Sequence, residues 1–346
     1  MALFSSSKPD TGDMGISKEE IKALEGKIKE YHKLIQDAKD EIGKIVIGQE
    51  TVIDSVFRAI FANGHLLFEG VPGIAKTLIV RTVSQTMGCS FARIQFTPDL
   101  LPSDITGLTS YQKEKGFYII KGPVFANFIL ADEINRAPPK VQSALLECMQ
   151  EKQVTIGHET LQLPLPFFVM ATQNPLEQVG TYPLPEAQVD RFLFKLMVGY
   201  PTKEDEIEIL NKNMTIHKFE HFDVKPVFSP DVIVDMQETT KTVYLSPKIE
   251  KYLVTIIDAT RYPDRYKLKQ AHYIEWGASP RGSIGLFIAA KANAILHGRT
   301  FVIPEDVKEV AYDVLRHRLL LSYEAQAENI KTEQIITEVL QKIPVP

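Results

Sequence analysis

The sequence predicts an α/β fold in which a parallel sheet flanked by helices is followed by an all-helical domain. Three observations carry this. Between residue 45 and about residue 200, short apolar runs (65–68, 91–96, 128–131, 167–171 and 192–198) alternate with segments of helical periodicity, the pattern of parallel strands joined by crossover helices. The first run feeds directly into FEGVPGIAKT, residues 68–77, a glycine-bounded loop that ends in Lys-Thr and opens a helix. Beyond Pro201-Thr202 strand-like runs largely give way to helices, and Ser246-Pro247 and Ser279-Pro280 each read as an N-cap followed by proline at the first helical position.

Taken in order, residues 1–15 read as a loose tail. Ser17 and Glu20 form a capping box that opens a helix with Leu24, Ile28, Tyr31 and Ile35 on one stripe, too short for a coiled coil and better suited to packing on its own domain. After the loop, Ile79, Val80, Val83 and Met87 share one helix face, and Gly88 is a left-handed stop. Two hairpin-like insertions interrupt the alternation, one over 109–120 turning at 113–116, the other over 154–163 turning near 157–159. Gly298 ends the helix begun at Pro280, and Pro304-Glu305-Asp306 starts another with acids at its positive end. The expected units are a core over 16–205, a connector over 206–228 and a helical domain over 229–346.

A chain of 346 residues suits roughly two domains of ~150 each. With 44% hydrophobic and 24% charged residues it has an ordinary globular composition, and no apolar run approaches the ~20 residues that span a bilayer. The opening MALFSSSKPDTGDMG lacks the pattern of a secretory signal, and two cysteines, Cys89 and Cys148, cannot frame a disulfide scaffold, so a cytoplasmic setting is expected. A net charge of −5 without a basic cluster gives no reason to expect nucleic acid.

The loop at 70–77 has the chemistry of phosphate binding. Backbone N–H groups of Gly70, Val71, Pro72 (which lacks one), Gly73, Ile74 and Ala75 would wrap phosphate oxygens, leading into Lys76, Thr77 and Leu78 at the positive end of a helix. Lys76 would set a cation between the phosphates and Thr77 would ligate Mg²⁺. Ala75 stands where a second glycine is usual. FILADE, residues 128–133, then places two carboxylates at the end of a buried-type strand, where α/β sheets bind ligands. Asp132 would hold Mg²⁺ and Glu133 would orient or deprotonate an attacking water. Asn174, in ATQNP, suits either a γ-phosphate or water contact or simply a turn before Pro175. His217 and His221 stand four apart, but Lys218 occupies the position where a metalloprotease helix needs Glu, so metal binding there is not expected. Trp276 is expected to pack within the helical domain.

GVPGIAKT, ADEINRAPPKVQSALLECMQE, ATQNP, YPLPEAQVDRF and GASPRGSI occur in this order, and through them the chain resembles the AAA+ ATPases of the MoxR group over about residues 30–320. Ala75 matches that group. The resemblance implies a P-loop AAA+ core and a helical lid that bind ATP and Mg²⁺ and hydrolyse ATP. It implies that Asn174 is a first sensor, that Arg281 is a second sensor reaching from the lid toward the γ-phosphate of its own chain, and that Arg191 completes a neighbour's site. A planar guanidinium suits both arginine roles. For Arg191 an ion pair with Asp190 or Glu186 is the competing reading. Ile47, Gly48 and Gln49 resemble the segment beside the adenine. The hairpins resemble insertions facing a ring pore, which makes Tyr118 and His158 substrate contacts unless these are ordinary surface hairpins. The implied assembly is a homo-oligomeric, hexameric ring, and the implied partner is a protein carrying a von Willebrand factor A domain. A metal-chelatase subunit and a nucleic-acid motor or loader are the alternatives.

Overall fold

The computed structural model describes residues 18–70, 76–114, 116–174, 180–211 and 219–346. The N-terminal part runs α1 (Lys18–Gly43), α2 (Glu50–Phe61), β1 (Leu66–Glu69), α3 (Lys76–Thr86), β2 (Phe91–Gln95), α4 (Pro102–Thr106), β3 (Gly107–Gln112), β4 (Gly116–Lys121), β5 (Phe128–Asp132) and α5 (Pro139–Glu151). It continues with β6 (Gln153–Ile156), β7 (Glu159–Gln162), β8 (Phe168–Gln173), α6 (Glu186–Val189), β9 (Phe194–Met197) and α7 (Lys203–Asn211). The C-terminal part holds α8 (Pro230–Thr242), α9 (Pro247–Arg261), β10 (Ile274–Trp276), α10 (Pro280–Leu296), α11 (Pro304–Leu315), β11 (Leu320–Leu321), α12 (Tyr323–Ala327) and α13 (Thr332–Lys342).

All five expected strands pair in parallel, in the order β2-β5-β8-β1-β9. The inner strands β1, β5 and β8 are apolar without alternation because both faces are covered, whereas the edge strands β2 and β9 carry Arg93, Gln95 and Lys195. Leu66, Phe68, Phe128, Leu130, Phe168, Met170, Phe194 and Leu196 point into a core shared with α1, α2, α3 and the C-terminal helices. Leu67, Ile129, Ala131, Val169 and Ala171 point the other way, into a core closed by α5. A one-residue slip would exchange the two sets, so the register Leu67↔Ala171 and Ile129↔Val169 is held from both sides. Each fully buried Phe or Leu contributes about 1.5–3 kcal/mol to that preference.

The helix of Leu24, Ile28, Tyr31 and Ile35 is α1, and it packs on its own chain. Tyr31 bonds Asp235 of α8, and His32 Nδ1 lies 3.0 Å from the Leu296 carbonyl at the end of α10. The capping box at Ser17 and the tail lie outside the described residues. Ile79, Val80, Val83 and Met87 are fully buried, and Gly88 has φ +61°. Ser246 and Ser279 accept from Ile249 N–H and Arg281 N–H at 3.4 and 3.1 Å, which caps α9 and α10 as expected.

The helical domain seats on α2 through buried ions. Arg58, on α2, donates to Asn293 Oδ1 (2.6 Å) and to Glu309, while Asn293 Nδ2 donates to Asp306 Oδ1 (2.8 Å) and Glu309 Oε2 (2.9 Å). A guanidinium this buried requires such partners. The antiparallel pair β10–β11 adds a small sheet to the helices. Trp276 corrects the sequence expectation. It is 66% exposed, because a register irregularity between Ile274 and Trp276 turns the end of β10 outward while Ile274 packs on the core.

One buried histidine makes stability depend on pH. Val169 N–H donates to His65 Nδ1 at 3.1 Å, and Nε2 faces the Met149 carbonyl at 3.1 Å, so the ring is held neutral with its proton on Nε2. Burial pushes its pKa down to about 4. A depressed folded value means that the unfolded chain takes the proton first as pH falls. The stabilisation is therefore complete above about pH 6.5 and is lost progressively toward pH 4, by ~3 kcal/mol in all. Urea unfolding at pH 7 and pH 5 should show this loss, and His65→Phe, though weaker at pH 7, should lose less between the two. An equal loss in both proteins would remove His65 as the cause.

Candidate active site

The C-terminal ends of β1, β5 and β8 open on one edge of the sheet, and the described groups at 70, 76–78, 132–133 and 174 gather there. Val71, Pro72, Gly73, Ile74 and Ala75 lie outside the described residues, as does His217. Gly70 follows β1, and Lys76, Thr77 and Leu78 form the first turn of α3. Lys76 Nζ donates to the Gly70 carbonyl at 2.6 Å, so its ammonium folds back toward the end of β1. Burial lowers its pKa, and the carboxylates of Asp132, Glu133 and Glu69 oppose that shift. Glu69 is itself paired with Lys195 at 2.6 Å.

Asp132 ends β5. Its Oδ1 accepts from Thr172 Oγ1 at 2.7 Å and its Oδ2 from Arg93 Nε and a terminal Arg93 nitrogen at 3.1 and 2.6 Å. The register between β2 and β5 explains this, since Arg93 opposes Leu130 and Gln95 opposes Asp132, with both β2 side chains on one face. Glu133 follows in a left-handed conformation, φ 56° and ψ 50°, which costs a residue of this kind ~1–3 kcal/mol. Three contacts hold it there: Glu133 N–H donates to Thr172 Oγ1 (2.8 Å), while Gln95 Nε2 (2.8 Å) and an Arg136 terminal nitrogen (3.0 Å) donate to Oε2. Asn174 is buried just beyond β8.

Arg191 and Arg281 gather elsewhere. Arg191 stands between α6 and β9, half-buried, and makes no ion pair among the described residues, so neither Asp190 nor Glu186 takes it up. Asp190 pairs instead with Arg318 at 2.9 Å. Arg281 is exposed on the first turn of α10, close enough to Arg318 for the two charges to interact, and it makes no bond to Lys76, Asp132 or Glu133 among the described residues. Ile47, Gly48 and Gln49 precede α2, and Ile47 and Gly48 border a cavity of 600 Å³ between α1, α2 and α7. Gly48 has φ +68°, a conformation that strains any side chain, and a Cβ there would lie 2.2 Å from the Asp205 carboxyl carbon, which would have to move. The hairpins β3–β4 and β6–β7 form as expected and face each other across a groove of 430 Å³ that Tyr118 and His158 line. Phe117, which sequence reading passed over, is 79% exposed at its rim.

Such an edge, with an ammonium at the helix start that follows β1 and two acids at the end of β5, one strand removed across β8, has the arrangement of a P-loop nucleotide site. Comparison with known proteins narrows the class. Residues 65–194 match the model of the ATPase family associated with various cellular activities (AAA), and residues 267–339 match the AAA lid domain. The protein named Chaperone MoxR1 of Mycobacterium tuberculosis is 47% identical over 324 residues, covering 93% of this chain and 85% of its own. Protein MoxR of Paracoccus denitrificans is 30% identical over 342 residues, covering 93% and 99%. The crystal structure of a candidate ATPase from Cytophaga hutchinsonii superposes with a TM-score of 0.88 at 50% identity, covering 94% of this chain and 99% of that one. The chain belongs to the MoxR family of AAA+ ATPases.

Proposed function

We propose that the chain hydrolyses ATP to ADP and phosphate and, as a homo-oligomeric hexameric ring, remodels protein partners that carry a von Willebrand factor A domain. The observation that carries the hydrolytic reading is the gathering of Lys76, Asp132 and Glu133 at one sheet edge, with Thr172 bonded to both acidic residues. Lys76 binds the phosphates, and Ile47, Gly48 and Gln49 lie against the adenine. Asp132 and Thr77 offer hard oxygen donors of the kind that suit Mg²⁺, which neutralises phosphate charge when bound. Glu133 orients and deprotonates the attacking water, Asn174 positions it, and Arg281 senses the γ-phosphate. Arg191, free of an intramolecular ion pair among the described residues, completes the site of a neighbouring subunit.

The chaperone naming of the Mycobacterium relative supports action on a protein. The groove between the hairpins, with Phe117, Tyr118 and His158 at its walls, offers an aromatic surface for it. Among the described residues no helix is long and apolar enough to cross a membrane. Phosphate release by the purified chain tests both halves of the reading. Turnover per subunit should rise with protein concentration as rings form. No release at any concentration would sink the hydrolytic assignment, and a rate per subunit independent of concentration would sink the ring.

A further inference from the structure

Asp190, the residue before Arg191, is held from the helical lid by two side chains. Arg318 Nε donates to its Oδ1 at 2.9 Å, and Ser279 Oγ donates to its Oδ2 at 2.9 Å. Arg318 is 8% exposed, and its terminal nitrogens also donate to the carbonyls of Asp190 (3.2 Å), Phe192 (2.7 Å), Leu193 (3.0 Å) and Val314. The backbone on both sides of Arg191 is thus wrapped around one buried guanidinium. Ser279 caps α10, so the same hydroxyl that donates to Asp190 accepts from Arg281 N–H at 3.1 Å. A continuous path of bonds runs from Arg281 through Ser279 and Asp190 to the peptide unit of Arg191. Helix α10 lies close above this path, since a Cβ on Gly285 would stand 3.0 Å from Val314 and 3.4 Å from Leu193.

We infer that Asp190, Ser279 and Arg318 are positioning residues that lock the Arg191 segment to the first turn of the lid, so that Arg191 reaches the neighbouring subunit's site only with the lid seated. The inference rests on the reading of Arg191 as a group that completes a neighbour's site. Its physical basis is that a buried guanidinium with one carboxylate partner tolerates little displacement, because separation leaves an uncompensated charge. A lid that shifts therefore carries Asp190, and with it Arg191. Burial already lowers the Arg318 pKa to about 10 against the pull of Asp190.

Mixed rings test the lock. Glu133→Gln subunits contribute Arg191 but no water-activating carboxylate, and Arg191→Ala subunits contribute the reverse, so their mixture reports only interfaces that join the two. Adding Ser279→Gly removes the relaying hydroxyl while costing the helix cap little, since glycine is tolerated at an N-cap. Placed on the Glu133→Gln subunit it should lower the recovered activity by about tenfold, the effect of one lost charge-assisted hydrogen bond. On the Arg191→Ala subunit it should change recovery by less than about twofold, and Ser279→Thr should restore it on either. Asp190→Asn, which keeps shape and loses charge, should show the same one-sided loss. Equal effects on both subunits, or none, would overturn the lock while leaving the trans role of Arg191 standing. Absence of recovery in the parent mixture, despite demonstrated co-assembly, would overturn both.

Discussion

Lys76→Ala is expected to abolish nucleotide binding, whereas Glu133→Gln should bind ATP as the unaltered chain does and turn it over about 10²- to 10⁴-fold more slowly. The difference follows from where each group sits. Lys76 donates to the Gly70 carbonyl and lies near enough to Asp132, Glu133 and Glu69 for their charges to act on it, so it supplies positive charge where a polyphosphate would otherwise meet only acids of its own sign. Removing it takes away the ammonium that would meet the phosphates, while Arg93, Arg136 and Lys195 remain committed to Asp132, Glu133 and Glu69. Glu133 lies beyond, and glutamine keeps its shape and its bonds to Gln95 and Arg136 while losing the basic oxygen. Binding of a fluorescent ATP analogue, set beside phosphate release, separates the two effects. Turnover by Glu133→Gln within a few-fold of the unaltered protein would take Glu133 out of the chemistry, and tight ATP binding by Lys76→Ala would take the loop out of it.

Arg191→Ala should bind ATP normally and hydrolyse it about 10³-fold more slowly, the usual loss when a trans-acting arginine is removed. A residue serving its own subunit would give the same two numbers. Mixing separates the cases. Combined with Glu133→Gln subunits, Arg191→Ala subunits should recover activity well above the sum of the two inactive proteins, because some interfaces then pair an intact Glu133 with an intact Arg191. Recovery should peak near equal proportions and vanish on dilution below the assembly concentration. Co-assembly without recovery would assign Arg191 to its own chain.

The parts of the site that sequence reading found are those written consecutively. A loop that runs from strand to helix, or two acids closing an apolar run, keeps its meaning whatever packs around it. The groups that sequence reading missed act across strands. Arg93, Gln95 and Thr172 reach Asp132 and Glu133 from β2 and β8, some 38 to 40 residues away in the chain, and only strand register brings them together. A polar residue at an exposed position of β2 carries no mark of this. Arg58 and Asn293 are legible only in the fold for the same reason, since 235 residues separate them. The centre of the sheet was legible because two covered faces produce unbroken apolar runs in β1, β5 and β8. Trp276 misled because a large aromatic is normally buried, and a local irregularity in a short strand outweighed that tendency.

The core that unites α1 and α2 with the C-terminal helices has a consequence for the chain as it leaves the ribosome. Ile28, Ile35 and Phe57 are made early, yet α1 and α2 pack on α10, and α2 also on α8, helices that begin only at Pro280 and Pro230. Tyr31 waits for Asp235, His32 for Leu296 and Arg58 for Glu309, partners 204 to 264 residues further on. At about 5–20 residues per second, that interval leaves the apolar stripe of α1 and the buried face of α2 uncovered for ten seconds or more. The chain thus spends much of its own synthesis with α1 and α2 in need of cover.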